Sequence, residues 1–153
     1  MSEAVDKLRI MLRVRGHQRD RLERAVIEER RENERRQAEH ARQCDAVAKA
    51  CDSHEAALFF RARNPGDALV SDYLITQQSR LTETREAEEK AREDAARAAA
   101  SLAETRASRH RAQVRLDALE TEFDTARRAD LRRAARKQER ARQDSPQTGK
   151  MRI

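Results

Sequence analysis

Between Leu74 and Ala126 the apolar side chains fall on one stripe of three- and four-residue steps: Leu74, Leu81, Ala91, Ala95, Ala98, Leu102, Ala112, Leu116, Leu119, Phe123 and Ala126. A 3.5-residue repeat held over this length is the pattern of a helix packed along another helix. The strong interruption upstream is Arg63-Asn64-Pro65-Gly66-Asp67, and a second helical stretch of similar length precedes it. The pattern predicts an all-α chain, a long two-helix antiparallel coiled-coil hairpin occupying residues 1–143. Helix 1 is placed at about 2–62, the turn at 63–67 and helix 2 at about 68–143, each arm spanning on the order of 90–110 Å. Residues 144–153, with Ser145-Pro146 and Gly149, are expected to form a flexible C-terminal tail.

The partner seam on helix 1 is legible at its two ends, as Leu8, Leu12, Leu22 and Val26, then Ala41, Cys44, Ala48, Cys51 and Leu58. Between them Glu28 to His40 is almost entirely charged, and joining the two sets requires a four-residue step, a stutter that locally unwinds a supercoil. Ser2 is placed to cap helix 1, with Glu3 and Asp6 in the first turn. Pro65 biases Asn64 away from helix, Gly66 tolerates positive φ, and Asp67 or Ser71 can cap helix 2. Folding back about Pro65 sets Leu58 against Leu74, Cys51 near Leu81, and Leu8 and Leu12 near Phe123 and Leu119. Leu58, Phe59, Phe60, Leu69, Tyr73, Leu74 and Ile75 cluster around the turn, either as a hydrophobic plug or as a partner-binding knob. The residues that would make the knob are Phe59, Phe60, Leu69 and Tyr73.

Composition narrows what such a hairpin can do. Charged residues make up 41% of the chain and aromatics 3%, with no Trp, so a thick core with an enclosed active site is not expected. No glycine-rich phosphate loop or nucleophile elbow is present, and Gly16, Gly66 and Gly149 lie far apart. No enzymatic activity and no cofactor are therefore expected. His40, Cys44, Cys51 and His54 share a helical face, but they spread over about 21 Å of helix, which leaves at most a two-ligand site and no expected metal centre. Cys44 and Cys51, about 10 Å apart along the backbone, cannot pair within the helix and are read as reduced seam residues. His17 and His110 are read as surface or seam-edge positions. No stretch approaches the ~20 apolar residues of a membrane span, and Met1–Leu12 mixes acids and bases unlike a signal peptide, so direct membrane insertion is not expected and the cytosol is.

The net charge of +6 has a local origin. Arg127, Arg128, Arg132, Arg133, Arg136, Lys137, Arg140 and Arg142 face only Asp130 and Glu139 in residues 127–143. This cationic end fits a solvated helix C-terminus or an acidic protein surface; without stacking aromatics or a recognised motif, nucleic acid is not expected as a partner.

The run Leu8-Arg9-Ile10-Met11-Leu12-Arg13-Val14-Arg15, followed by Arg19-Asp20-Arg21-Leu22-Glu23-Arg24-Ala25-Val26, resembles the N-terminal segment of the FliJ/YscO family of type III secretion proteins. The size, the single central turn and the basic end of helix 2 are similar as well, whereas Gly16 inside helix 1 departs from a regular coil. The resemblance, closer to the injectisome branch, implies a stalk like the central shaft of a rotary ATPase. Its two termini would insert into a hexameric secretion ATPase and its body would lead to an export-gate protein at the cytoplasmic face of the bacterial inner membrane. Export chaperones are further partners of that family. On this resemblance the ATPase-contacting residues are Leu8, Met11, Leu12, Arg13 and Arg15 with Phe123, Arg127, Arg128, Leu131 and Arg132. A stalk inside one ring is a monomer; the alternative is a coiled-coil chaperone or scaffold without a ring-stalk role.

Overall fold

The structure, a computed structural model, describes residues 2–143. It is an all-α hairpin: helix α1 runs Glu3–Arg63 and helix α2 Ala68–Gln143, packed antiparallel, and no strand occurs among the described residues. The expected tail at 144–153 lies outside the described residues. Tertiary contacts group the chain into two units: a terminal unit built from the chain up to Glu23 and from Ser108 onward, and a turn unit spanning Arg24–Ala107.

In the turn unit, α1 ends where the backbone N–H and the side-chain amide of Asn64 both donate to the Phe60 carbonyl. Asp67 N–H then donates to Asn64 O at 3.2 Å, closing a tight turn with Pro65 at its second position. No described glycine takes positive φ, so Gly66 does not use the freedom expected of it, and the turn is not type II. Asp67 is the cap: its Oδ1 accepts from the N–H groups of Leu69 at 2.9 Å and Val70 at 3.4 Å, satisfying amides that have no intrahelical partner. Arg61 straps the turn by donating to Ser71 Oγ and to the Asp67 carbonyl.

The α2 face of this unit is the predicted one, with Leu81, Ala91, Ala95, Ala98 and Leu102 buried and Leu74 half-buried. The α1 face is not. Among its covered positions, Val26, Glu29, Asn33, Arg36, His40, Gln43, Val47, Ala50, His54, Ala57 and Arg61 run in unbroken alternation of three and four residues, flanked by half-buried Ala25, Glu32, Glu39, Ala46, Cys51 and Ser53. The expected stutter is therefore absent, and Ala41, Cys44, Ala48 and Leu58 are exposed rather than seam residues. An uninterrupted heptad keeps one face toward α2 at every turn, and this geometric constraint overrides the local advantage of burying a neighbouring small apolar residue. Polar side chains fill the seam where the register demands them. Two of their acceptors, Asn33 Oδ1 and Gln77 Oε1, are buried without a hydrogen-bond partner, the kind of group that specifies register at a cost in stability.

The terminal unit carries a short apolar seam. Val5 is fully covered and Leu116 nearly so, while Leu8, Leu12, Leu22, Ala112, Leu119, Phe123 and Ala126 are half-buried. Glu3 pairs with Lys7 at 2.6 Å in the first turn of α1, and the Ser2 carbonyl accepts from Val5 and Asp6. Ser2 N–H donates to Asp130 Oδ2 at 2.7 Å and Arg109 meets Glu23 at 3.2 Å, two cross-helix polar links that bracket the seam.

Candidate partner-binding surfaces

The link from Ser2 to Asp130 sets the start of α1 level with Asp130, and α2 continues beyond it. Residues 131–143 of α2 are all exposed, so this final stretch is not covered by folding back on α1. It carries Leu131, 61% exposed, among Arg132, Arg133, Arg136, Lys137, Arg140 and Arg142, with Glu139 as its acid. The concave side near Ser2 is lined by Asp130, Arg133, Arg136, Lys137 and Arg140. Hydrogen bonds from Ser2, aided by the Arg133 charge, hold the Asp130 carboxyl below the ordinary carboxylate range, so at neutral pH it is an anion committed to the helix pair. Among the described residues, no helix faces the remaining cations. A lone segment of this length is marginal in water, and here its helicity propagates from the packed part of α2.

The ten residues proposed from the resemblance divide into three groups. Leu8, Leu12 and Phe123 are half-buried along the helix pair, as is Arg15, whose guanidinium donates to Gln18 on the same helix. Met11 and Arg13 sit on the outer side of α1 beside exposed Ile10 and Val14. Arg127, Arg128, Leu131 and Arg132 are exposed near and beyond the start of α1, about 13 Å along the axis from Met11. The first group is partly covered by the opposite helix, whereas the other two are exposed.

In the turn unit, the apolar cluster at the tip is open to solvent. Phe59, Phe60 and Leu69 are 57%, 53% and 79% exposed, and Leu58, Tyr73 and Ile75 are exposed too, which overturns the plug reading: a two-helix tip has no third wall to cover them. Phe59 and Phe60 lie edge to face with centroids 6.4 Å apart, and the Arg63 guanidinium stands 4.6 Å over the Phe59 ring. Comparison of the chain with protein families, curated proteins and solved structures found no match.

A third constellation lies along the polar seam of the turn unit. Arg36 bridges to Asp94 at 3.6 Å across the helices, and His40 Nε2 meets Glu88 Oε1 at 2.8 Å. Hydrogen bonds from Arg36 to Glu32, from Gln43 and Arg42 to Glu39, and from Arg97 to Asp94 hold those three carboxyls below their ordinary range. Cys44 Sγ joins the His40–Glu88 pair at 3.5 and 3.9 Å. The sequence reading limited metal ligation to two residues because it counted one helix; Glu88 comes from the other helix and carries no signal in a single sequence. No helix among the described residues is long and apolar enough to cross a membrane.

Proposed function

We propose that the chain is a non-enzymatic stalk that couples a hexameric secretion ATPase to an export gate during protein export. The observation that carries this reading is the end of α2, residues 131–143, a cationic helix with an exposed Leu131 and, among the described residues, no second helix beside it. Such an end suits a socket with acidic walls, because several arginines gain charge-assisted bonds together while one leucine supplies apolar contact. The stalk raises the turnover of its partner by favouring the assembled or rotating ring, a population shift, and hydrolyses nothing itself. Export chaperones and the gate protein are its further partners, the chain acts as a monomer, and its place is the cytoplasmic face of the bacterial inner membrane.

The test is the affinity of the purified chain for an assembled secretion ATPase, with and without Leu131→Glu combined with Arg127→Glu, Arg128→Glu and Arg132→Glu. All four side chains are exposed, so the helix pair survives their replacement. Binding should weaken by at least about tenfold, equivalent to 1.4 kcal/mol, and should fall with added salt. Unchanged affinity would remove the α2 end from the interface. Leu12 and Phe123 are unsuitable probes because their replacement would open the seam.

A second reading rests on the exposed tip. Phe59, Phe60, Leu69 and Tyr73 fit capture of an apolar segment by a chaperone or scaffold. Under that reading Phe59→Ser with Phe60→Ser abolishes partner binding, and the charge-reversed α2 end leaves it intact.

A further inference from the structure

We propose that His40, Cys44 and Glu88 form a binding site for a divalent zinc-like cation that ties α1 to α2 within the turn unit. One ligand atom from each residue lies within 4.8 Å of the others. The individual separations are 2.8 Å for His40 Nε2 to Glu88 Oε1, 3.5 Å for Cys44 Sγ to His40 Nε2, and 3.9 Å for Cys44 Sγ to Glu88 Oε1. A tetrahedral zinc ion with bonds of about 2.0–2.3 Å holds its ligand atoms roughly 3.3–3.7 Å apart. The two contacts to sulfur are already near that spacing, and the His–Glu contact opens by about half an ångström, within reach of side-chain torsion.

The placement follows from two independent registers. His40 and Cys44 are one helical turn apart, so their side chains stack on the same side of α1. His40 holds a seam position and Cys44 the exposed flank beside it, and Glu88 is a covered position of α2. Nitrogen, sulfur and carboxylate oxygen together suit a borderline-soft ion and not magnesium or calcium, which require oxygen ligands. Three protein ligands leave one coordination position open on the solvent side, where Cys44 is exposed. Because Glu88 belongs to the opposite helix, the ion binds the paired hairpin and not the separated helices, and so stabilises the pair. It does so where the α1 seam is most polar, between the Arg36–Asp94 bridge and Val47.

The test uses the full chain under a non-chelating reductant, titrated with zinc against a competing chromophoric chelator, and with cobalt followed by absorption. The proposal requires one zinc per chain, a thiolate-to-cobalt charge-transfer band with tetrahedral d–d bands, and a raised melting temperature with zinc but not magnesium. Cys44→Ser, His40→Gln and Glu88→Gln should each weaken zinc binding by more than about tenfold, since loss of an outer-sphere partner alone costs about 10–100-fold. Cys51→Ser should change nothing. Full binding in Glu88→Gln would reduce the site to an intrahelical pair and overturn the cross-helix assignment, as would a cobalt spectrum lacking the thiolate band. The melting curve of each variant without metal separates loss of ligand from loss of fold.

Discussion

At the scale of single residues, the cost of Gly16 and the role of Gly66 are set by backbone conformation and surrounding space. Both lack neighbouring atoms within 4 Å of a Cβ added at the site, and neither takes positive φ. Gly16 lies inside α1, where glycine gives up more chain entropy on folding than alanine does. Gly16→Ala should therefore stabilise the chain by about 0.5–1 kcal/mol, read as a higher midpoint in thermal circular dichroism. An unchanged or lower midpoint would mean that the helix deviates at this position. Asp67 is the opposite case, because its carboxylate accepts from two amides at the start of α2.

At the scale of elements, the α2 stripe was legible at its Leu, Ala and Phe positions, while the polar seam positions Gln77, Thr84 and Glu88 gave no apolar signal. The α1 seam was legible only at Leu8, Leu12, Leu22 and Val26. From Glu29 to Gln43 the register is carried by charged and amide side chains, so reading apolarity slid the seam by one residue onto Ala41, Cys44, Ala48 and Leu58. The seam alanines Ala50 and Ala57 are small enough that their exposed neighbours looked like equally good candidates. The corrected register makes a paired prediction: Ala57→Leu should destabilise by about 1–3 kcal/mol through overpacking, while Leu58→Ala should stay within about 0.5 kcal/mol of the parent. Chemical denaturation distinguishes the two, and the reverse ranking would restore the slipped seam. Glu32, Glu39, Asp94 and Asp130 add a pH dependence to the same helix pair. Each carboxyl is held below its ordinary range by hydrogen-bonding partners, so the folded chain binds protons more weakly than the unfolded one. Their contribution is present above the unfolded carboxylate range, about pH 4, and is lost as pH falls through the lower folded values. The melting temperature should decline on acidification from roughly pH 5 to pH 2; a flat or rising profile would show that these ion pairs contribute nothing net.

At the scale of the whole molecule, the exposed side chains are what the proposed stalk would present to its partners. The described residues place apolar and cationic side chains outward at the α2 end and aromatic ones outward at the turn, while the seams are occupied in holding the helices together. Within the candidate contact set drawn from the N-terminal resemblance, Leu8, Leu12 and Phe123 are half-buried along the seam, and the exposed members lie on the basic end of α2 and the outer side of α1. Light scattering coupled to size-exclusion chromatography, on the chain alone and then with an assembled secretion ATPase, tests the stalk reading most directly. That reading predicts a monomer of 17.7 kDa that co-migrates with the ATPase oligomer. A stable dimer or larger assembly that ignores the ATPase would contradict it.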